Sequence, residues 1–291
     1  MIRLIFLSFF LLFSCSEEKV QPKVEAPKAK KRVVKVAAVQ CYSQMGKIKD
    51  NRELLTRLIK EAAGKGAKII VLPEAAISGY MDPQGMKGDE IVWTKEEPGE
   101  YQMSVKEVAE KADGESAKYF STLAKDLKVY LTMPFIEVAD DNFYNSMLLM
   151  DPEGKVIAHH RKKALWNHGD GSWCSKGDLE PQVVETPYGK VGLMICYDHH
   201  VMPPLLEEKG ADIVLYSVGC NGPSDNWFKV HFPEKAAKHK FSAIVANWSH
   251  AASDPYWNGT GLSNIVFRNG IVIKMTGKYS GNAVVLADLP Y

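Results

Sequence analysis

The segment Val191–Asp198, with the sequence VGLMICYD, constrains the fold of this chain more than any other stretch. Its apolar residues run directly into Cys196, a pattern that is typical of a buried strand in a parallel sheet. His200–Lys209 then predicts a short helix that Gly210 ends. We expect a cysteine at such a turn to lie exposed at the sheet rim, near helix N–H groups that favour a thiolate. The alternative is a packed core thiol, because cysteine is among the most buried residue types.

The N-terminal region predicts a leader and a tether that stand apart from the fold. Leu4–Phe13 is an apolar run that is too short to span a bilayer and fits the core of a signal peptide over residues 1–14. Cys15 follows, and its context resembles a bacterial lipoprotein processing site; an ordinary secretory signal is the alternative. Residues 15–32 are rich in Lys, Glu, Ala and Pro, so we expect a disordered tether. These features predict an exported lipoprotein on the periplasmic side of the envelope, held to the membrane through Cys15, and Ser16 favours the outer membrane.

The remaining residues, 33–291, are long enough for one large domain. The net charge of the whole chain is only +1, which argues against nucleic acid as a partner. No Cys/His spacing resembles a zinc site, so we predict no metal and no cofactor. The cysteines beyond Cys15 permit disulfides without requiring them; Cys174 with Cys220 is one candidate pair, and Cys41 is expected in the core.

Strands alternate with helices at both ends of this domain, with hairpins between them, which indicates an α/β fold with a mixed sheet or two packed sheets. We expect Gly79–Glu115 to be a long irregular connection and Asp225–Lys240 to be helical despite Pro233. A buried strand ends at Leu72 and is followed by Pro73 and Glu74, so a carboxylate stands where open α/β sheets bind ligands. A second strand ends in the basic run Arg161–Lys163. Both features have structural alternatives, namely an acid in the first turn of a helix and a solvated strand edge.

Glu74, Lys162 and Cys196, in this order, resemble the nitrilase superfamily of carbon–nitrogen hydrolases. The resemblance covers nearly all of residues 33–291 and rests on the segments VKVAAVQ, IIVLPEAAISGY, FYNSMLLMDPEGKVIAHHRK, TPYGKVGLMICYD, ADIVLYS, AIVANWS and IVFRNGIVI. It implies a four-layer αββα sandwich that assembles into a homodimer or a larger homo-oligomer.

The resemblance also implies a catalytic triad with Glu74 as the base, Cys196 as the nucleophile and Lys162 as the oxyanion stabiliser. Such chemistry needs a thiolate that forms a thioester, a carboxylate that moves protons, and a fixed cation beside a backbone N–H. The N–H of Tyr197 would be the second oxyanion donor. Lys163 is the neighbouring alternative to Lys162.

Two positions depart from the family pattern. Members commonly carry a second glutamate after the lysine, whereas this loop offers Asp170 and no glutamate before Glu180. Either Asp170 substitutes or the role is absent. His199 stands near the position where many amidase-type members have an arginine. We expect His199 to help bind substrate, together with aromatic residues that otherwise serve only packing: Tyr80, Trp166, Trp173, Trp227 and Trp248.

The predicted reaction is hydrolysis of a small-molecule amide to a carboxylate and ammonia or an amine. A carbamoyl-amide hydrolase and a nitrilase are alternatives because the same triad serves all three reactions. A catalytically inactive, amide-binding lipoprotein is an alternative of a different class. A papain-like protease would need a histidine base for Cys196, and the histidines here follow no such pattern.

Overall fold

The computed structural model describes residues 32–79, 92–94, 102–167, 169–220, 224–250 and 259–291. Arg32–Tyr291 forms one compact unit. The predicted signal peptide, Cys15 and all of the predicted tether before Arg32 lie outside the described residues, and so does Tyr80.

The strands follow in chain order as β1 (Val33–Gln40), β2 (Ile69–Val71), β3 (Val92–Thr94), β4 (Gln102–Ser104), β5 (Tyr130–Ala139), β6 (Asn142–Met150), β7 (Val156–Arg161), β8 (Val183–Thr186), β9 (Gly189–Ile195), β10 (Ile213–Ser217), β11 (Ser242–Ala246), β12 (Asn264–Val266), β13 (Val272–Met275) and β14 (Ala283–Pro290). The α-helices are α1 (Ile48–Gly64), α2 (Glu115–Leu127), α3 (Met202–Glu208) and α4 (Phe232–Lys238). Short 3₁₀ turns span Val105–Glu107, Asp170–Ser172 and Cys196–His200, and a π-helical turn spans Trp227–His231.

Two mixed six-stranded sheets dominate the described residues. The first has the order β14-β1-β2-β5-β6-β7 and the second the order β13-β12-β11-β10-β9-β8. Strands β1, β2 and β5 are parallel in the first sheet, and β9, β10 and β11 are parallel in the second. The carboxyl ends of parallel strands meet at one edge of their sheet. The end of β2 places Glu74 at this edge of the first sheet, and the end of β9 places Cys196 at this edge of the second.

The alternation of side chains along the strands explains the layers. In β9, Leu193 and Ile195 enter a core that both sheets share, whereas Met194 enters the core beneath α3 and α4. In β1, Val36 faces the shared core and Val39 faces α1 and α2. Each central strand is therefore buried on both faces, and the resulting helix–sheet–sheet–helix stack confirms the predicted αββα sandwich.

Three local features differ from the sequence-based expectation. The segment between Gly79 and Glu115, expected to be irregular, contains the parallel pair β3 and β4. The helix expected over residues 225–240 begins as a π-helical turn and continues as α4, with Pro233 as the second residue of α4. The suggested disulfide between Cys174 and Cys220 is not formed in this structure.

Candidate active site

Glu74 lies at the junction of the two sheets, three residues beyond the end of β2. Its backbone N–H donates to the Val218 carbonyl of the second sheet at 3.3 Å, and its carbonyl accepts the indole N–H of Trp248 at 3.0 Å. The side chain is fully buried. Burial raises the pKa of this carboxyl, the charge of Lys162 lowers it, and the charge of Asp170 raises it again; the net shift is upward. A buried carboxyl with a raised pKa is suited to general-base work near neutral pH.

Lys162 lies between two carboxylates. Its Nζ is 2.8 Å from Glu74 Oε1 and 2.5 Å from Asp170 Oδ2, and its side chain is only 1% exposed. A burial this deep needs such partners, since an unpaired buried charge is costly. Lys163, the alternative considered from the sequence, is only half-buried. Lys162 is therefore the lysine that the fold brings to Glu74, and Asp170 occupies a second carboxylate position beside it.

Asn145, on β6, completes this polar cluster and escaped the sequence analysis. Its Nδ2 donates to Glu74 Oε1 at 2.7 Å and to Asp170 Oδ2 at 3.1 Å, and its carbonyl accepts the N–H of Lys162 at 2.8 Å. The only available signal was an asparagine in an otherwise apolar strand, in the quoted segment FYNSMLLM. Asn145 fixes the two carboxylates against the lysine and leaves Glu74 Oε2 without a hydrogen bond among the described residues.

Cys196 directly follows β9 and opens a 3₁₀ turn in a left-handed backbone conformation, with φ of 39°. Such a conformation costs about 1–3 kcal/mol for a residue other than glycine and recurs at functional sites. The Cys196 carbonyl accepts a hydrogen bond from the Tyr216 hydroxyl at 2.8 Å, and the Cys196 sulfur accepts one from the backbone N–H of Gly219. Glu74 and Lys162 are its charged neighbours. The turn therefore aims the thiol at the Glu74–Lys162 cluster.

The expectation of an exposed thiol that rests as a thiolate was wrong. Cys196 is half-buried, and burial, followed by the negative charge of Glu74, raises its pKa well above the usual value. The helix α3 begins only at Met202, so its N–H groups do not offset this rise in the Cys196 pKa. The resting group is a neutral thiol, which needs a base beside it to become nucleophilic.

Asp198, another residue that the sequence analysis did not single out, connects the cysteine turn to the lysine segment. Its Oδ1 accepts the N–H groups of Lys163 and Ala164, each at 2.8 Å. Its Oδ2 accepts the Ile195 N–H at 3.1 Å and lies 2.6 Å from His160 Nε2. The fully buried carboxylate therefore fixes the residues next to Lys162 relative to the residue before Cys196.

The profile of the carbon-nitrogen hydrolase family matches residues 35–290. The chain belongs to the carbon–nitrogen hydrolase family. It is 33% identical over 258 residues to the omega-amidase NIT2 of Xenopus tropicalis, which covers 82% of this chain and 83% of that protein. It is also 33% identical over 218 residues to a nitrilase of Pyrococcus abyssi, covering 74% of this chain and 75% of the nitrilase.

A solved amidase from Nesterenkonia sp. has the same fold. It superposes with a TM-score of 0.72 over 88% of this chain and 90% of the amidase, at 19% identity. With the family match, these comparisons make this carbon–nitrogen hydrolase an amidase-like enzyme.

The aromatic residues expected to line the substrate site have diverse surroundings in this hydrolase. Trp173 and Trp248 are each 1% exposed and pack in one buried cluster beside Ala75. The indole N–H of Trp248 donates to the Glu74 carbonyl and helps to fix the Glu74 backbone. Trp166 is half-buried, and its backbone N–H donates to Asp170 Oδ1 at 2.8 Å. It therefore contributes to holding the second carboxylate.

His199 packs against Trp227 with ring centroids 4.1 Å apart, and its carbonyl accepts Lys235 Nζ at 2.8 Å. Burial, aided by the neighbouring His200 and Lys235, lowers its pKa to about 3. It is therefore a neutral imidazole near neutral pH. Tyr197, whose N–H was expected to serve the oxyanion, directs an exposed side chain outward from the same turn.

Gly219 closes the site on the side of the second sheet. A Cβ atom at this position would lie 2.4 Å from the Trp248 ring and 2.8 Å from Glu74 Oε2. Only a glycine fits between these groups, and its N–H reaches the thiol of Cys196.

Among the described residues, no cluster of three His, Cys, Asp or Glu side chains is arranged to hold a metal ion. No helix in this part of the chain has the length and apolarity needed to cross a membrane.

Proposed function

We propose that this hydrolase cleaves the amide bond of a small molecule through a thioester at Cys196, with Glu74 as the proton carrier. The observation that supports this most directly is the asymmetry of the Glu74 carboxylate. Oε1 accepts hydrogen bonds from Lys162 and Asn145, whereas Oε2 is buried and has no hydrogen bond among the described residues. Oε2 lies beside Gly219, whose N–H binds the Cys196 thiol. Oε2 is thus the oxygen available to take the thiol proton.

Acylation begins when Glu74 accepts the proton of Cys196 and the sulfur attacks the amide carbon. The carbonyl oxygen becomes an oxyanion, which Lys162 and the N–H of Tyr197 stabilise. Glu74 then returns the proton to the leaving nitrogen, the C–N bond breaks, and ammonia or an amine departs from the thioester.

Deacylation repeats these steps with water. Glu74 takes a proton from a water molecule, whose oxygen attacks the thioester carbon, and the same two donors stabilise the second oxyanion. The C–S bond breaks, the sulfur regains its proton, and the carboxylate product leaves. One carboxyl group therefore serves both half-reactions, because it alternately accepts a proton and returns it.

The electrostatics of the site support this proton traffic. The pKa values of Glu74 and Cys196 are both raised, in each case chiefly by burial. A raised pKa makes the carboxylate a stronger base towards the neutral thiol than a solvent-exposed glutamate would be. Asp170 adds to this effect, because its negative charge raises the pKa of Glu74 further.

The relatives favour an amide over other C–N substrates. The Xenopus tropicalis relative is named as an omega-amidase, and the Nesterenkonia amidase has been solved with the acetamide moiety of fluoroacetamide added at its active-site cysteine. A carbamoyl-amide hydrolase and a nitrilase are the rival reactions, and the nitrilase relative gives the latter specific support.

The test is ammonia release by the full chain from a panel of amides, carbamoyl compounds and nitriles, with Cys196→Ala and Glu74→Gln beside it. We expect release from small amides, loss of it in Cys196→Ala, and a loss of roughly 100- to 10,000-fold in Glu74→Gln. Release from nitriles or carbamoyl compounds alone would replace the amidase proposal with one of its rivals. Unchanged release in Cys196→Ala would overturn the proposed nucleophile.

A further inference from the structure

Cys220 lies beside the proposed nucleophile because of the register of two strands. Strands β9 and β10 are parallel, with Ile195 opposite Ser217. Cys196 is the residue after Ile195, and Cys220 is three residues after Ser217, so the two segments leave the same edge of the sheet side by side.

The residue before Cys220 extends this proximity beyond the strands. The N–H of Gly219, the residue before Cys220, donates to the Cys196 thiol, and the two cysteines are electrostatic neighbours. Both side chains are half-buried and pack against the same hydrophobic cluster beneath α3 and α4. The Cys220 thiol is thus held at the proposed active site and is only half-buried.

The backbone of Cys220 is fixed in this position. Its N–H donates to Asn247 Oδ1 at 2.8 Å, and its carbonyl accepts the N–H of Thr260 at 3.0 Å. The backbone just before Cys220 is tightly packed, because Gly219 lies directly against the Trp248 ring. A thiol on such a scaffold is kept near Cys196 at every turnover.

The other two cysteines of the described chain contrast with this pair. Cys41 is fully buried in the core beneath α1 and α2, and Cys174 is 5% exposed in the cluster around Trp173. Burial raises the pKa of Cys41 to about 12 and raises that of Cys174 as well. Neither thiol is placed to react with solutes, since reactivity requires exposure and thiolate character.

We propose that Cys220 is a resolving thiol that forms a reversible disulfide with Cys196 when a peroxide oxidises the active site. The proposal rests on the proposed function, because it takes Cys196 as the group that Glu74 deprotonates. The disulfide would hold the enzyme inactive but recoverable, whereas a cysteine without a resolving partner continues to irreversible acids.

The chemistry balances in two steps. Glu74 accepts the Cys196 proton, and the sulfur attacks one peroxide oxygen; an S–O bond forms, the O–O bond breaks, and the departing oxygen takes a proton to leave as water or an alcohol. Cys196 is oxidised by two electrons to a sulfenic acid and the peroxide is reduced. The Cys220 sulfur then attacks the Cys196 sulfur, the S–S bond forms, the S–O bond breaks, and hydroxide leaves with the Cys220 proton as water. A small dithiol reduces the Cys196–Cys220 disulfide by thiol–disulfide exchange and restores both thiols.

The test treats the full reduced chain with hydrogen peroxide, blocks remaining thiols and maps the tryptic peptides by mass spectrometry. Cleavage after Lys190, Lys209 and Lys229 separates Cys196 from Cys220, which lie on residues 191–209 and 210–229. We expect these two peptides to appear joined, two hydrogens lighter than their sum, and to separate on reduction.

Two variants accompany the wild type. In Cys220→Ser, the linked species should disappear, and the sulfinic acid of Cys196, which a dithiol cannot reverse, should accumulate in its place. Cys41→Ala, which removes a thiol from the core beneath α1 and α2, should retain the link between Cys196 and Cys220.

The inference is overturned if Cys196 accumulates sulfinic acid equally in wild type and Cys220→Ser, if Cys196 pairs with another cysteine, or if Cys196 resists peroxide altogether. This readout is a mass and not a rate, so it is separate from the amidase test. A chain that links Cys196 to Cys220 but releases no ammonia would contradict the proposed reaction alone, and an active chain that never forms the link would contradict the resolving role alone.

Discussion

His160 Nε2 lies 2.6 Å from Asp198 Oδ2, and both groups are buried between the strand that leads to Lys162 and the turn that begins at Cys196. The proposed nucleophile and the proposed oxyanion cation come from different sheets. Their relative position therefore depends on contacts that cross between the sheets, and the Asp198 carboxylate makes three of them, to His160, Lys163 and Ala164.

Asp198→Asn tests this connection. The new amide nitrogen cannot accept the hydrogen bond of Ile195, so a buried N–H loses its acceptor, which costs about 1–3 kcal/mol. We expect a lower free energy of unfolding together with slower alkylation of Cys196 by iodoacetamide, because the thiol is displaced from Glu74. Asp212→Asn is the control, since Asp212 binds the Lys190 N–H at the opposite end of β9. Normal alkylation in a destabilised Asp198→Asn chain would show that Asp198 stabilises the fold without positioning Cys196.

Asp170→Asn tests the second carboxylate. The negative charge of Asp170 raises the pKa of Glu74, so its removal should lower that pKa. A base with a lower pKa stays deprotonated to lower pH, and the acidic limb of kcat/KM against pH should move to lower pH. We also expect a lower maximum rate, because Lys162 loses one of its two anionic partners.

The control for this profile is Asp178→Asn, which removes an exposed carboxylate that is paired with Arg161. Its acidic limb should coincide with that of the wild type. An acidic limb that stays in place in Asp170→Asn would mean that Asp170 does not tune Glu74.

The sequence was sufficient to predict the layers and to place Glu74, Lys162 and Cys196 at strand ends, because strand termini are local signals. Their proposed catalytic roles came from the family resemblance. Glu74 and Cys196 each follow an apolar run that only a doubly buried strand explains, and the αββα sandwich follows from a family pattern spread over the domain. Asp170 was named as a candidate for the second carboxylate, and the structure pairs it with Lys162, a contact that nothing in the sequence showed.

What the sequence could not provide were the contacts between residues distant in the chain. Asn145 and Gly219 are polar or small residues without a local motif, and their importance arises only when β6 and β10 approach Glu74. The ionisation of Cys196 was wrongly predicted for a related reason. The expected helix dipole is a local effect, whereas the burial and the nearby Glu74 charge that dominate its pKa depend on the complete fold.

Cys15→Ala tests the proposed lipid anchor, which lies outside the described residues. When the wild-type chain is expressed in a bacterium supplied with radiolabelled palmitate, we expect it to carry the label and to sediment with the membranes. Cys15→Ala should lose both properties, because the cysteine is the acceptor of the lipid, while Cys41→Ala should keep them. An unlabelled, soluble wild-type chain would favour the ordinary secretory signal.

Glu137→Gln tests an ion-pair cluster on the first sheet, away from the proposed chemistry. Burial alone would raise the pKa of Glu137, but hydrogen bonds from His159, Arg161 and Ser146 lower it from 4.5 to about 2. Its contribution to stability is therefore fully present above pH 4.5 and is lost as the pH falls through about 2. At pH 7 we expect the variant to lose about 3 kcal/mol of unfolding free energy, because the partly buried Arg161 loses the carboxylate that it binds at 2.6 Å.

The measurement is chemical denaturation of both chains between pH 7 and pH 2. The difference in unfolding free energy should shrink towards the acid end, where wild-type Glu137 is itself protonated. Asp178→Asn is the matched control on the same arginine; its carboxylate is 58% exposed, so its loss should cost less than about 1 kcal/mol. A difference that stays constant with pH would assign the effect to packing and not to charge.

Gly219→Ala tests the close fit between the two sheets at the proposed active site. The added methyl group would lie 2.4 Å from the buried Trp248 ring and 2.8 Å from Glu74 Oε2, so either the indole or the carboxylate must move. Overpacking of this kind costs about 1–3 kcal/mol of stability. Because the oxygen that would shift is the one proposed to take the thiol proton, we expect kcat to fall far more than KM changes. Gly281→Ala adds the same methyl group where no atom lies within 4 Å and should leave both constants unchanged. If Gly219→Ala instead raised KM and preserved kcat, Gly219 would shape the substrate site and not the proton path.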